Sequence, residues 1–424
     1  MGALITIPAL LTALGALACT ATGGHENPNG DTSSVAALEP GETGVVVTCA
    51  KVLTMNDAND VFAPGMIVVR NGKIEAVGPI APIPEGFELI AMRDSWAAPG
   101  MIDLHSHVQT GGWGDINDMV ISLNPEFRTS PTIVPANADI ERACAGGVTT
   151  LFGIPGSGTN MSGFGVLYKT KCRGAHGAPN YESVTLADPG GMKIAQAYNP
   201  ERNADLGLTR TGMAWNIRRA NNMALAANKE GRKDVRIANL QKVMSKELPV
   251  LIHTAGSDAC STTVHMWRGE FDTRSVLSHG CFDGWKIAPS VAAAGMPVNL
   301  GPRLFDWSSS REGELIGTPP QYIDAGVPLV SVNTDAPVMP EEEFFLQGAM
   351  GSHYGADSYV MLQATTINPA KQFGIDQRVG SLAPGKDADI VLRSGDPLDP
   401  RARVQLVLID GGIEYDLQRE RQRF

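Results

Sequence analysis

Residues 99–107 read Pro-Gly-Met-Ile-Asp-Leu-His-Ser-His, an apolar run that ends in two histidines. Its first part predicts a buried β-strand over residues 101–105. Because side chains alternate between the two faces of a strand, His105 and His107 point the same way. Two imidazoles at that spacing can bind one metal ion together. The stretch therefore indicates a buried strand with a metal site at its carboxyl end.

Short apolar strands alternate with helical stretches on the carboxyl side of this strand. Besides 101–105, the strand candidates are residues 148–152, 166–170, 192–197, 249–253, 275–279, 297–300 and 328–333. Helices are predicted at residues 136–145, 211–229, 234–246, 284–294, 341–350 and 357–367. Eight strands with helices between them predict an α/β fold, a (β/α)₈ TIM-type barrel. An open doubly wound sheet is the alternative, but no glycine-rich phosphate loop opens any helix.

Both ends of the body are rich in β-structure. Residues 66–78 give two short strands around Asn71-Gly72, and residues 404–416 repeat the pattern around Asp410-Gly411. We predict that residues 41–98 and 384–424 together form a small flanking β-sandwich. The barrel at 99–383 would then be inserted between its two parts.

The first 40 residues are expected to be a leader and a flexible linker. Residues 3–18 are almost wholly apolar but too short for a comfortable membrane span. Small residues followed by Cys19 resemble a bacterial lipoprotein cleavage site, although no Lys or Arg precedes Lys51. The pattern predicts an exported protein, either periplasmic or anchored to a membrane by a lipid on Cys19. A disordered tail behind a buried apolar helix is the alternative.

Composition narrows the classes of function. Of the 424 residues, 43% are hydrophobic and 19% are charged, which is enough apolar material for a large core. A formal net charge of −11 without any cluster of Lys or Arg argues against binding to nucleic acid or to an anionic membrane surface. The six cysteines form no CxxC pair, which excludes a zinc ribbon, and most of them are expected to be buried thiols.

Further polar residues stand at the predicted carboxyl ends of other strands, the edge where a barrel places its active site. His253 ends the fifth strand, His279 ends the sixth, and Asp335 follows the eighth. A single histidine at a strand end is more often structural. Four histidines and one aspartate at such ends indicate a shared metal site.

Several of these stretches resemble the amidohydrolase superfamily. The resemblance is carried by residues 99–107, by Gly147-Val148-Thr149-Thr150, and by motifs at 368–370, 380–389 and 409–412. It covers about residues 45–416 and is closest to the branch of imidazolonepropionase-like and Xaa-Pro dipeptidase-like enzymes. It implies a metal-bearing barrel with a flanking β-sandwich.

The resemblance also implies a role for each candidate ligand. His105 and His107 would bind the more buried ion, and His253 and His279 would bind a second one. Asp335 would bind the first ion and carry protons.

Many members of the superfamily also carry a carboxylated lysine that bridges two ions. A lysine carbamate requires an amine that is desolvated and largely neutral. Lys193 fits by position and by its apolar flanks. Lys169 and Lys171, on the preceding predicted strand, are rivals, and the absence of any bridging lysine stays open.

The implied cofactor is Zn²⁺, one or two ions per chain, although the same ligands accept other divalent ions. Zinc-type ions lower the pKa of bound water to about 7 and so supply hydroxide at neutral pH. Asp335 would take a proton and deliver it to the leaving nitrogen, first as general base and then as general acid. The chain is therefore expected to be a metal-dependent hydrolase acting on a carbon–nitrogen bond.

One departure from the superfamily pattern narrows the kinds of bond that the enzyme is expected to cleave. Deaminases and imidazolonepropionase usually carry Glu or Gln three residues after the fifth-strand histidine. Here Thr254-Ala255-Gly256 follows His253, and Asp258 is the nearest acid. This favours an amide or dipeptide-like substrate of small size. Opening of a cyclic amide such as an imidazolone or hydantoin, deamination, and a surface protein that binds metal without catalysis are the alternatives.

Three further residues are candidates for substrate binding. Arg303 follows the seventh strand and is suitably placed to clamp a carboxylate. His265 follows the fifth strand, and His176 lies in a loop that could line the mouth of the barrel. Each has a simpler interpretation as a solvated surface residue. Substrate identity, the number of ions and the oligomeric state are left open.

Overall fold

A computed structural model describes residues 29–111, 117–118, 121–174, 177–202 and 209–420. The predicted leader at 3–18, the predicted lipidation site Cys19 and the candidate His176 lie outside the described residues. Within the described ranges, no helix combines the length and apolar character that a membrane span requires.

The element pattern follows the sequence prediction closely. The strands are β1 (Gly44–Leu53), β2 (Val61–Phe62), β3 (Gly65–Arg70), β4 (Lys73–Pro79), β5 (Glu88–Pro99), β6 (Met101–Ser106), β7 (Val148–Gly153), β8 (Met161–Lys169), β9 (Thr185–Ala195), β10 (Val250–Thr254), β11 (Ser275–His279), β12 (Val298–Leu300), β13 (Val330–Val332), β14 (Ile390–Arg393), β15 (Val404–Ile409) and β16 (Gly412–Asp416). The helices are α1 (Ala138–Ala145), α2 (Tyr181–Val184), α3 (Arg210–Glu230), α4 (Ala238–Met244), α5 (Ser257–Val264), α6 (Ala288–Ala293), α7 (Trp307–Arg311), α8 (Thr318–Asp324), α9 (Phe345–His353), α10 (Ser358–Thr365) and α11 (Ile367–Phe373). Every predicted barrel strand and helix has an overlapping counterpart, although β8 begins five residues and β9 seven residues before the predicted starts.

The two ends of the chain form one mixed sheet of eight strands. Its order is β16-β15-β14-β5-β1-β3-β4, with β2 paired to β1. The pair β1–β5 is parallel, and every other pair is antiparallel. Both predicted hairpins are present, and Asn71 and Asp410 take the left-handed backbone conformation that their tight turns require. This sheet takes its strands from both ends of the chain, whereas a second sheet packed on it, which a sandwich would need, is not confirmed.

The middle of the chain forms a second sheet of eight strands in the order β13-β12-β11-β10-β9-β8-β7-β6. Its first and last strands approach each other, because Ser106 is bridged to Ala336 and the His107 amide donates to the Ala336 carbonyl at 2.9 Å. The sheet is therefore a nearly closed barrel. Strand residues such as Leu251, Ile252 and Leu277 are fully buried in its core.

Strand β8 departs from the alternation of strand and helix. It runs antiparallel to both β7 and β9, while the other neighbouring strands of the barrel are parallel. Only residues 154–160 connect β7 to β8. A parallel connection needs a crossover of a dozen or more residues, so this short link allows only a hairpin. The sequence prediction began the strand at residue 166 and so left room for a crossover that does not exist.

A buried cluster of charges joins the barrel to the flanking sheet. The Lys169 ammonium, on β8, contacts Asp387 at 2.7 Å, Asp389 at 3.0 Å and also Asp410. Burial alone would lower the pKa of Lys169, but the three carboxylates raise it above its ordinary value. Lys171 also pairs with Asp410, at 2.6 Å. Both rival lysines are therefore held as ammonium groups in ion pairs.

Among the described residues, most cysteines are buried thiols, as expected. All five of those described are free thiols, and four are buried. Burial raises the pKa of the Cys260 and Cys281 thiols.

Candidate metal centre

The two histidines of residues 99–107 lie at the carboxyl end of β6. Every residue of β6 is buried, as expected for a strand between two covered faces. The His105 and His107 rings lie on the same side of the chain, with centroids 5.4 Å apart. The alternation of side chains along the strand accounts for this arrangement.

Three neighbouring strands bring further candidates to the same edge. Lys193 lies on β9, His253 on β10, and His279 is the last residue of β11. In the parallel register, His253 pairs with Ser278, and Thr254 pairs with His279. Asp335 follows β13 after two intervening residues. The barrel thus places all of these side chains at one end of its sheet.

The side chains form two overlapping groups of possible metal ligands. One nitrogen from each of His105, His253 and His279 lies within 4.8 Å of the others, and the same holds for His105, His107 and Asp335. The Asp335 Oδ1 atom lies 3.3 Å from Nε2 of both His105 and His107. The Lys193 Nζ atom lies 3.1 Å from His105 Nε2. Six predicted site residues therefore meet, with His105 common to both groups.

The hydrogen bonds of the imidazoles leave lone pairs facing the cluster. His107 Nδ1 lies 2.9 Å from the Ile154 carbonyl, and His279 Nδ1 lies 2.7 Å from the Gly301 carbonyl. A carbonyl only accepts, so in both rings Nδ1 carries a hydrogen. His279 Nε2 and His253 Nδ1 are buried and have no hydrogen-bond partner among the residues that the structure describes. Buried polar atoms normally have a partner, and an ion between these nitrogens would supply it. The donor set thus fits a zinc-type ion.

Burial and neighbouring charges set the ionisation of the cluster. Burial lowers the pKa of Lys193 to about 7, and it also lowers the pKa of His105, His253 and His279. Burial works to raise the pKa of Asp335, but the contact with His107 and the neighbouring His279 and Lys193 hold it below its ordinary range. Near neutral pH the imidazoles of His105, His253 and His279 are neutral, Asp335 is ionised, and the amine of Lys193 is substantially neutral.

Asp103 holds the two ends of the barrel in register at this site. It accepts a hydrogen bond from the His105 amide at 2.8 Å, and two from Thr334, the amide at 2.8 Å and the hydroxyl at 2.6 Å. Burial raises its pKa to about 7. Because Thr334 directly precedes Asp335, Asp103 ties the strand that carries His105 to the segment that carries the carboxylate.

Two residues of the cluster have unfavourable backbone conformations. His279 has φ of 72° and Asp335 has φ of 51°, both in the left-handed region that L-residues rarely adopt. Such conformations persist only where the surroundings enforce them. Here the Gly301 carbonyl bonded to His279, and the histidines that flank Asp335, supply that enforcement.

The other candidates for the site lie elsewhere or at its margin. Lys169, the rival of Lys193, is held by three aspartates of the flanking sheet. His265 is 73% exposed at its side chain and pairs with Glu270 at 3.4 Å, so the structure does not bring it to the cluster. Arg303 is exposed, and its guanidinium lies 4.7 Å from the centroid of Trp307.

The sequence analysis did not single out Ser157 and Ser278 as partners of the cluster. The Lys193 Nζ donates to Ser157 Oγ at 2.9 Å, and His105 Nδ1 lies 2.7 Å from Ser278 Oγ. The position of Ser278, directly before a strand-end histidine, is the one signal that could have identified it.

Comparisons with known proteins point to the amidohydrolase family. The model of the amidohydrolase family matches residues 239–413. The chain is 26% identical over 399 residues to the amidohydrolase tasK of Hapsidospora irregularis, a match that covers 83% of this chain and 40% of that protein. It is 41% identical over 87 residues to a 5-methylthioadenosine/S-adenosylhomocysteine deaminase of Bacillus thuringiensis, covering 19% of this chain and 20% of that protein. The chain thus spans less than half the length of these curated relatives.

Solved structures support the same assignment. An amidohydrolase from Thermotoga maritima MSB8 matches with a TM-score of 0.77 and 29% identity, over 88% of this chain and 100% of that chain. An adenosine deaminase from Xanthomonas campestris with bound zinc matches with a TM-score of 0.53 and 16% identity, over 88% and 93% of the two chains. The second likeness shows the fold alone. Together with the family model, the first confirms the resemblance found in the sequence.

Proposed function

We propose that this chain, a member of the amidohydrolase superfamily, is a zinc-dependent hydrolase that cleaves an amide or dipeptide-like carbon–nitrogen bond in a small molecule. The observation that carries the proposal is the convergence of four histidines, Lys193 and Asp335, with two buried imidazole nitrogens left without partners. Neutral imidazoles next to an ionised carboxylate are the protonation states that zinc binding requires.

The residues of the cluster divide between holding the ion and moving protons. His105, His107 and Asp335 would hold one ion, and His253 and His279 a second, with a carboxylated Lys193 between them. When bound, such an ion lowers the pKa of a water to about 7 and polarises a carbonyl. Burial keeps the Lys193 amine substantially neutral, which is the form that reacts with carbon dioxide.

Asp335 is the group best suited to carry the proton. Its side chain is 21% exposed, whereas that of His105 is 0% and that of His107 is 6% exposed, so it faces the substrate side of the cluster. Its lowered pKa keeps it ionised and ready to accept a proton near neutral pH. It would deliver that proton to the leaving nitrogen, as general base and then general acid.

The choice of an amide over an aminated ring rests on Gly256, three residues after His253. A Cβ at Gly256 would lie 2.7 Å from the Tyr198 hydroxyl oxygen, and the backbone there has φ of 76°. A glutamate at this position would therefore be obstructed. Asp258, the nearest acid, is engaged by Arg210 and by the Ala259 amide instead. The acid typical of superfamily deaminases thus has no substitute here.

Arg303 offers a contact for a substrate carboxylate. It lies two residues after Gly301, whose carbonyl orients His279, and its guanidinium is stacked near Phe305 and Trp307. A stacked guanidinium keeps its N–H groups available for a bidentate contact. We propose that the substrate carries a free carboxylate next to the scissile bond.

The test combines metal analysis with hydrolysis. The full chain is loaded with zinc and bicarbonate, analysed for zinc per chain, and assayed on dipeptides, N-acyl amino acids, lactams and aminated purines. We expect one or two zinc ions and release of amine from the first two classes. Asp335→Asn should lose hydrolysis with the substrate still bound, and His265→Asn, an exposed matched control, should keep full activity. Ammonia from the purines would instead establish deamination, and zinc binding without any turnover would establish a binding protein.

The remaining proposals concern organisation and location. We propose that the barrel is of the TIM type, with the β7–β8 hairpin replacing one strand–helix unit, and that residues 41–98 and 384–424 form its companion domain. We also propose export, with a lipid on Cys19, from the apolar run at 3–18. Fractionation of cells expressing the wild-type chain and Cys19→Ser tests this, since only the former should be in the membrane fraction.

A further inference from the structure

We infer that a chain of buried side-chain hydrogen bonds, running across the barrel from Gln372 to His105, fixes the tautomer of His105 so that its Nε2 lone pair faces the metal cluster. Ser278 and Asn299 are then positioning residues for a metal ligand. The inference rests on the proposed function only in taking His105 as a ligand. The tautomer itself is a property of the metal-free protein.

The direction of the hydrogen bonds is set at the end remote from the cluster. Gln372, on α11, donates through Nε2 to the Val298 carbonyl at 2.9 Å and to the Leu329 carbonyl at 3.2 Å. Both partners are acceptors only, so the amide can have just one orientation and Oε1 must accept. The Ser331 hydroxyl lies 2.8 Å from this oxygen and donates to it.

Asn299 continues the chain of hydrogen bonds across the barrel with the same donor-to-acceptor direction. Its Nδ2 donates to Ser331 Oγ at 2.8 Å and to the Val332 carbonyl at 3.1 Å. Its Oδ1 accepts from Asn333 Nδ2 at 2.9 Å, and that amide is oriented in turn by the Asn299 carbonyl at 2.8 Å. Two independent contacts, one at each end of the Asn299 amide, thus agree on which atom is oxygen.

Ser278 is the last link before the metal ligand. Its hydroxyl faces Asn299 Oδ1 at 3.4 Å and His105 Nδ1 at 2.7 Å. A hydroxyl has one hydrogen, and the side of Asn299 that faces it only accepts. We infer that the hydrogen is directed to Asn299 Oδ1, so that Ser278 Oγ accepts from His105 Nδ1–H. His105 Nε2 is left with its lone pair.

The opposite side of the ring has a donor that fits this tautomer. Lys193 Nζ lies 3.1 Å from His105 Nε2, and its N–H can donate to the lone pair there. The competing tautomer, with the hydrogen on Nε2, would direct it at Asp335 Oδ1, 3.3 Å away. That arrangement would leave Asn299 Oδ1 without the Ser278 hydrogen.

The chain of polar groups lies in the dry interior of the barrel. Ser278, Asn299 and Ser331 are 0% exposed and Gln372 is 5% exposed. Unpaired polar groups at such sites are costly, whereas a fully paired set holds each group in one orientation. Partners of this kind that orient a metal-binding histidine contribute tenfold to a hundredfold in metal affinity.

The first experiment reads the tautomer directly in the metal-free wild-type chain. Two-bond proton–nitrogen spectra of protein labelled with ¹⁵N-histidine distinguish hydrogen on Nδ1 from hydrogen on Nε2, and the signals missing from His105→Asn assign the ring. We expect His105 with hydrogen on Nδ1 only. Hydrogen on Nε2, or rapid exchange between both nitrogens, would overturn the inference.

The second experiment compares two serines of the same strand. Ser278→Ala removes the acceptor for His105, and Ser275→Ala removes a buried hydroxyl that has no hydrogen-bond partner. With zinc affinity measured by chelator competition on folded protein, we expect Ser278→Ala to bind tenfold to a hundredfold more weakly and Ser275→Ala to stay within threefold of wild type. Equal losses in both variants would refute a specific role for Ser278.

The outcomes separate this inference from the proposed function. A wild-type chain with the Nδ1–H tautomer but no hydrolysis would refute the proposed function and leave the positioning role intact. A zinc-dependent hydrolase with hydrogen on His105 Nε2 would do the reverse.

Discussion

Replacing Lys193 with methionine should stabilise the metal-free protein. Burial lowers the pKa of this amine from 10.5 to about 7, and Lys193 has no carboxylate within ion-pair distance among the described residues. That difference corresponds to about 4–5 kcal/mol of folding free energy lost when the amine must fold as an ammonium. At pH 7, where half of the folded amines are already neutral, about 4 kcal/mol of the cost remains.

Methionine removes this cost and loses two hydrogen bonds. Lys193 Nζ lies 2.9 Å from Ser157 Oγ and 3.1 Å from His105 Nε2, and losing both contacts costs about 2 kcal/mol. Lys193→Met is therefore expected to unfold with about 2 kcal/mol more free energy than wild type at pH 7. It should lose hydrolytic activity at the same time.

The pH dependence gives the sign of the effect. Between pH 7 and 10.5 the unfolded lysine keeps its proton while the folded one releases it, so the unfolded state binds more protons and wild-type stability rises with pH. Methionine contributes no such slope. The advantage of the variant should thus shrink by about 2 kcal/mol between pH 7 and pH 9.

The assay is urea unfolding of both proteins with a chelator in bicarbonate-free buffer, at pH 7 and pH 9. Lys169→Met is the matched control, because this lysine is equally buried but paired with three carboxylates, and its loss should cost about 3–5 kcal/mol. A Lys193→Met protein that is less stable than wild type at pH 7 would refute the reasoning. So would an advantage that stays constant with pH.

Three further outcomes follow from the site. Zinc with bicarbonate should raise the melting temperature of wild type but raise that of Lys193→Met much less, because ions stabilise the state that binds them. A thermal-shift titration measures this difference, and equal shifts in both proteins would exclude a bridging lysine. His253→Asn should lower the zinc content measured by elemental analysis, since it removes one of the unpartnered nitrogens, while unchanged zinc would remove this residue from the ligand set. Gly256→Glu should destabilise the fold by about 1–3 kcal/mol in denaturant unfolding, because of its positive φ and the Tyr198 hydroxyl; a fully stable variant would show that an acid fits after all.

The sequence predicted the elements of the barrel better than their direction. Strand periods and turn residues are local, so most of β6 through β13 could be located within a few residues. The antiparallel direction of β8 depends on the length of the link at 154–160. Because the predicted start of this strand was five residues too late, the predicted link was long enough for a parallel crossover. The packing of the flanking sheet depends on distant partners, such as β1 with β5, which periodicity does not report.

The candidate site was predictable wherever a ligand stands at a strand end. His105, His253, His279 and Asp335 all lie at the end of a strand or shortly after one, where alternation and the barrel rule apply. The choice between Lys193 and Lys169 could not be made locally, because both sit on buried strands with apolar neighbours. Only the fold shows that aspartates from residues 387–410 reach one of them.

The partners that orient the ligands were beyond the reach of motif analysis. Ser278, Asn299 and Gln372 are common residue types on three separate elements, and nothing in their spacing marks them. Their relation arises from the register of parallel strands, where Ser278 lies beside Asn299 and Asn299 beside Ser331. Register of that kind is a property of the assembled barrel.

Because the flanking sheet is built from both ends of the chain, it can be completed only late in synthesis. Strand β5 ends at residue 99, and its neighbour β14 begins at residue 390, so a ribosome adding about 5–20 residues per second needs roughly 15–60 s to supply the missing strand. Throughout that interval, one edge of β5 is unpaired. The three aspartates that form ion pairs with Lys169 have not yet been synthesised. During synthesis the β5 edge is therefore open to pairing with other chains until the residues from 390 onward emerge.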